Sequence, residues 1–207
     1  MLTAGHVGAG PVVLGGRSFA PVPDSTVRLR NDDGSSADLI VFRIQGAPDL
    51  PQIRIAKSTP KVGARILLIG HGRNRGAPTS WSGRAGFVWG TGSAMRWGTN
   101  VVFQRDLYAG TTKVFATQFR ADGATPHEAQ AAEGDSGGAA FVKLNRKWWL
   151  AGVLCAVGGF DTQPRETALY GNVTLIADLA RYRGQLEKLL ERPATRSPAT
   201  ATEDPPR

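Results

Sequence analysis

Apolar and polar residues alternate in short bursts along this chain. Runs rich in β-branched and aromatic residues are broken by clusters of Gly, Pro, Asn and Asp, the pattern of a turn-dense β-protein rather than a helix bundle. The bursts predict strands over residues 11–14, 26–30, 37–44, 65–70, 80–89, 100–104, 113–118, 139–144, 147–156 and 168–172. Asn145 and Arg146 fall between two of these runs, where a hairpin turns. Residues 48–63 carry Pro48, Pro51 and Pro60 and read as a connector between two β-rich halves.

Late in the chain the period changes. Apolar positions at Val173, Ile176, Leu179, Leu186, Leu189 and Leu190 follow helical spacing, so a helix is predicted from Val173 to the stop at Pro193. Arg181, Arg183, Lys188 and Arg192 put positive charge toward its C-terminal half, where the macrodipole favours it. Residues 193–207, "PATRSPATATEDPPR", are rich in Pro, Ala and Thr and predict a disordered tail.

Composition narrows the class. With 207 residues, 41% hydrophobic and 20% charged, the chain suits one medium soluble domain, or one fold of two small halves. Its longest apolar runs, such as 66–69 and 150–157, are far too short to span a bilayer, so no membrane partner is expected. A net charge of +8 invites a nucleic-acid reading. Yet the positive residues are scattered, with no five-residue basic block, and read as a solvated surface. The single cysteine, Cys155, excludes an internal disulfide and a multi-cysteine metal site. Its context, "AGVLCAV", predicts a buried thiol. The start, "MLTAGHVGAG", has neither the charged nor the apolar region of a signal peptide.

The candidate chemistry lies in "EGDSGGAAFV" (133–142), where Ser136 stands among glycines just ahead of an apolar run. Alone, the stretch is equally a flexible turn entering a strand. Acyl transfer needs an activated hydroxyl, a base beside it and donors for the developing oxyanion. Gly134, Gly137 and Gly138 allow a sharp turn that aims the amides of Gly134 and Ser136 into one cavity. Three histidines compete for the role of base: His6 after a strand end, His71 at a strand exit and His127 in a polar loop. Among the acids, Asp38 opens the apolar run "DLIVFRI", while Asp24, Asp32 and Asp33 sit in polar turns.

Taken in order, "TAGH" (3–6), "ADLIVF" (37–42) and "EGDSGGA" (133–139) closely resemble the three active-site motifs of the trypsin/chymotrypsin-like serine proteases. The His…Asp…Ser order matches, with spacings of 32 and 98 residues, the first of them short. Further likeness runs through "VGARILLIGHG" (62–72), "WWLAGVLCAVGG" (148–159) and "ALYGNVTLIADLARY" (168–182). The last of these resembles the family's final strand and C-terminal helix.

The resemblance implies an all-β fold of two six-stranded Greek-key β-barrels with a C-terminal helix. The domain runs over 1–192: about 1–60 for a first barrel incomplete at its N-terminus, and 61–192 for the second barrel and helix. It implies a serine endopeptidase that needs no cofactor or metal. His6 is then the general base, Asp38 its orienting acid and Ser136 the nucleophile, with the amides of Gly134 and Ser136 as the oxyanion hole. Asp135 matches the acid that, in activated members, meets a processed N-terminal amine. Gln130 stands at the base of the primary pocket, with walls from Ala156, Val157, Gly158 and Ala168. No Asp occupies position 130, so a preference for Arg or Lys is not implied. Val157 narrows the opening, which favours small or medium apolar side chains.

The implied partner is a protein or peptide substrate met by a monomer, secreted or periplasmic by family habit. Three departures qualify this picture. Met1 begins where the family's third strand ends, so the first barrel is expected to be incomplete. A disulfide-free chain fits a bacterial enzyme. Cys155 replaces a serine near the orienting acid and weakens a hydrogen bond there. The alternative readings are an inactive, truncated homologue acting as a binding module, and a basic nucleic-acid-binding barrel. The second gives no reason for "GDSGG".

Overall fold

The computed structural model describes residues 1–191, so the tail expected over 193–207 lies outside the described residues. Fourteen strands and one helix account for the regular structure among them. The first half holds β1 (Leu2–Ala4), the hairpin of β2 (Val12–Leu14) and β3 (Arg17–Phe19), β4 (Val27–Arg30) and β5 (Ser36–Val41). β5 is the centre of a three-stranded antiparallel sheet in the order β1-β5-β4. Residues 48–63 contain no strand. They dock on the second half through a parallel bridge between Ile55 and Leu150.

The second half is a closed antiparallel barrel. β6 (Arg65–Gly70), β9 (Arg96–Ala109), β10 (Thr112–Gln118), β11 (Ala139–Leu144), β12 (Lys147–Gly158) and β14 (Val173–Asp178) close in the order β10-β14-β12-β11-β6-β9. Alternation drives the closure: Ile66 and Leu68 of β6, and Ala140 and Val142 of β11, all point inward. They meet Val102, Phe115, Leu154 and Ile176 in one buried cluster. The fold is thus mostly β with one C-terminal helix, as expected.

A second cluster joins the halves. Ala4, Leu29, Ala37 and Leu39 of the first sheet pack with Val153, Cys155, Leu179, Tyr182 and Leu186. Tyr182 is buried, and its hydroxyl donates to Asn31 Oδ1 (2.8 Å) and accepts from the Lys113 amide (3.0 Å). One side chain therefore links the helix, the first sheet and the barrel.

Two expectations need correction. The run read as one strand over 80–89 is a hairpin, β7 (Arg73–Trp81) with β8 (Arg84–Ser93). Its turn is Ser82–Gly83, both at positive φ (49° and 74°), the backbone of a two-residue hairpin turn. The β-branched residues around it hide a turn that Ser-Gly alone signals weakly. β8 also pairs with β13 (Thr167–Leu169), making a sheet β13-β8-β7 outside the barrel. The helix predicted from Val173 begins at Leu179, as α1 (Leu179–Glu191). Residues 173–178 are strand because their positions pair with β10 and β12, and barrel burial outweighs helical spacing there. Asp178 ends the strand and caps the helix, accepting the Ala180 amide at 3.2 Å.

Candidate functional site

Strand register brings the candidate base to the candidate acid. Ala4 of β1 pairs with Leu39 of β5, so the residues just past Ala4 run alongside Asp38. The Gly5 amide donates to the Asp38 carbonyl at 3.0 Å, and the chain turns back with Val7 N bonded to Ala4 O at 3.1 Å. Asp38 then grips His6 twice. Oδ1 accepts the His6 amide and Oδ2 meets Nδ1, each at 2.7 Å. A carboxylate accepts only, so Nδ1 donates to it and Nε2 faces away from the acid. The Asp38 amide is itself tied to Thr112 Oγ1 at 2.7 Å, which fixes the acid to the barrel.

Cys155 is buried beneath this pair. Its Sγ donates to Leu175 O at 3.3 Å rather than to Asp38. Burial first, and the charge of Asp38 second, push the thiol up to about 12. Among the described residues, the Asp38 carboxylate has His6 alone as its hydrogen-bonded partner.

The turn bearing Ser136 is fixed from four sides. Asp135 N bonds to Ala132 O (3.1 Å), Gly138 N to Asp135 O (2.9 Å) and Gly137 N to Leu154 O (2.8 Å). The Asp135 carboxylate accepts the amides of Gly72 (2.6 Å) and Ala132 (2.9 Å). Gly134 has a φ of 89°, and a Cβ there would lie 3.3 Å from Gly72 Cα, so glycine suits it on both counts. Among the described residues, the amides of Gly134 and Ser136 have no intrachain acceptor. A Cβ on Gly137 would stand 2.3 Å from Thr3 Oγ1. The turn therefore abuts the strand that leads to His6, although no hydrogen bond joins Ser136 to His6. Such a bond is often long before substrate arrives.

Gln130, Val157 and Gly158 line one cavity of about 440 Å³, which Glu133, Glu166 and Trp89 share. Ala168 lines a neighbouring cavity of about 290 Å³. Gln130 and Trp89 border both cavities, and Ala156 lines neither. His71 and His127 are exposed, and His127 stacks edge-on against Trp97. Glu133 opens the Ser136 stretch in the sequence, but its meeting with Arg73, Trp89 and Glu166 depends on the β7–β8 hairpin and is not legible there. Among the described residues, no cluster of His, Cys, Asp or Glu suits a metal ion.

No protein-family model and no curated protein matches the sequence. Solved structures do match in shape. The atomic-resolution structure of HBP aligns with a TM-score of 0.60 and 16% identity, covering 93% of this chain and 81% of that one. Neuropsin, a serine protease expressed in the limbic system of mouse brain, aligns at 0.60 and 17% identity, with 92% and 84% covered. A mutant of human heparin binding protein (CAP37) aligns at 0.60 and 16% identity, with 95% and 83% covered. The fold of this chain is that of the trypsin-like serine proteases.

Proposed function

We propose that the protein is a serine endopeptidase. Ser136 Oγ attacks the peptide carbonyl while His6 Nε2 takes its proton. The resulting oxyanion is met by the amides of Gly134 and Ser136. His6 then gives the proton to the leaving amine, and water, activated by the same imidazole, hydrolyses the acyl-enzyme. Asp38 holds the imidazole in the Nδ1–H tautomer and stabilises the imidazolium that forms.

The observation that carries this reading is the double grip of Asp38 on His6, at 2.7 Å on both the amide and Nδ1. A surface histidine has no need of such a grip. The two unengaged amides beside Ser136 supply the remaining part. Substrates on this reading are proteins or peptides, with the residue before the scissile bond seated against Gln130, Val157 and Gly158. A secreted or periplasmic setting and a monomeric state go with it.

The competing reading is a catalytically impaired homologue acting as a binding module, and the missing bond between Ser136 and His6 favours it. A labelled fluorophosphonate separates the two. The endopeptidase is expected to be labelled, and Ser136→Ala to abolish both labelling and peptide cleavage. Absence of labelling in the folded protein, or labelling that survives Ser136→Ala, overturns the assignment.

A further inference from the structure

Arg73 opens β7, and its interactions run to both walls of the 440 Å³ cavity. Its backbone amide donates to Glu133 O at 2.9 Å. Its guanidinium donates to Glu133 Oε2 (3.2 Å), to Glu166 Oε1 (2.7 Å) and, through Nε, to Gly90 O (3.1 Å). Glu133 directly precedes Gly134, whose amide is one of the two proposed oxyanion donors. Glu166 lies on the facing wall, where its carbonyl accepts the Trp89 amide at 2.7 Å. One residue further back, Gly72 donates to Asp135, on the other side of Gly134.

We propose that Arg73 is a positioning residue for the oxyanion turn, tying Glu133 to Glu166 so that the direction of the Gly134 amide and the width of the substrate cavity are set together. This rests on the endopeptidase reading above. The geometry explains why the tie passes through the hairpin. Gly72 and Arg73 hold the turn at residues 133 and 135, so Gly134 sits between two fixed points. β8 carries the far wall by its ladder to β13. Energetically the tie is modest, because Glu133 and Glu166 are well exposed and exposed ion pairs contribute little to stability. Its effect falls on alignment instead. A misplacement of about 1 Å at a reacting centre costs about a hundredfold in rate.

The test compares Arg73→Gln, Glu133→Gln and the double variant, each first shown to be folded by circular dichroism and to take up the fluorophosphonate label at saturation. Saturation labelling isolates the endopeptidase reading: if the wild-type protein does not label, that reading fails and Arg73 has nothing to position. In unlabelled enzyme from preparations that label fully, each single variant is expected to lower kcat by about ten- to a hundredfold. Each is also expected to weaken a peptide boronate, which forms a tetrahedral anion on the serine, more than a neutral peptide amide of the same sequence. The double variant should lose no more than either single one. High ionic strength should lower wild-type kcat toward that of the variants, because screening loosens the tie. Equal losses for boronate and amide, or losses that multiply in the double variant, overturn the proposal.

Discussion

The Arg28 guanidinium fills the space that a side chain at Gly5 would need. A Cβ on Gly5 would lie 2.5 Å from Arg28 Nη1 and 2.9 Å from Asp38 Oδ1. Arg28 reaches the Ala37 carbonyl at 3.2 Å and the Gly5 carbonyl at 3.5 Å, the residues directly before Asp38 and His6. Glycine in "TAGH" therefore leaves room for the side-chain tips of Asp38 and of an arginine two strands away. Gly5→Ala is expected to displace Arg28 or the Asp38 carboxylate, costing about 1–3 kcal/mol by overpacking. Because Asp38 orients the base, the rate of fluorophosphonate labelling should fall more than thermal stability alone explains. Labelling at the wild-type rate in a folded Gly5→Ala protein would show that the space is available after all.

The second core cluster makes Tyr182 a joint between the halves. Tyr182→Phe keeps the ring in place but leaves the Lys113 amide and Asn31 Oδ1 short of a partner in a part-buried setting. A buried group left unsatisfied costs about 1–3 kcal/mol. Denaturant unfolding of the variant should show that loss at unchanged m-value. A shift in m would point instead to uncoupling of the first sheet from the barrel.

What the sequence revealed, and what it hid, follows from range. The strands at 65–70 and 139–144 were legible because one face of each is buried in the barrel, so their alternation is local and clean. His6, Asp38 and Ser136 stood out because their neighbours are constrained by turn geometry and register within a few residues. The β7–β8 hairpin and its arginine were not legible. Trp81, Phe87, Val88 and Trp89 favour strand, and of the two glycines between them only Gly83 sits in the turn with Ser82. Val173, Ile176 and Leu179 fit helical spacing alone, but the pairing of β14 with both of its neighbours holds residues 173–178 as strand, so the helix begins at Leu179 rather than Val173.

The hairpin turn expected at Asn145–Arg146 is present, and both residues have positive φ, 48° and 63°. Asparagine tolerates this backbone, whereas arginine is held there at a cost. Arg146→Gly is expected to stabilise the protein by about 0.5–1 kcal/mol, raising the melting temperature by about 1–4 °C. Scanning calorimetry of the two proteins at one pH is enough to check it.

Cys155 has its thiol pushed up to about 12 from 9.0, by burial first and by Asp38 second. Folding therefore favours the protonated thiol. That contribution is fully present below the unfolded value and is lost as pH rises through the folded one, a window from 9.0 to about 12. Iodoacetamide at pH 8–9 should leave the native thiol unmodified and alkylate it in denaturant. Over the same window, Cys155→Ala should lose stability less steeply than wild type.

Asp178 lies under the helix start with its side chain almost fully buried, and burial raises its carboxyl above the ordinary carboxylate range. The Thr59 hydroxyl, the Ala180 amide and Arg181 oppose that shift without cancelling it. With the folded value above the unfolded one, the protonated acid favours folding below the unfolded value of 3.8, and the benefit is lost as pH rises through the folded value. At neutral pH the ionised carboxylate is thus a destabilising presence that Asp178→Asn relieves, while the asparagine oxygen still caps Ala180. Melting temperatures measured from pH 3 to pH 8 should show the variant above wild type at neutral pH, with the gap closing toward the acid end. A variant less stable than wild type across the whole range would mean that the Arg181 and Thr59 contacts outweigh the cost of burying the charge.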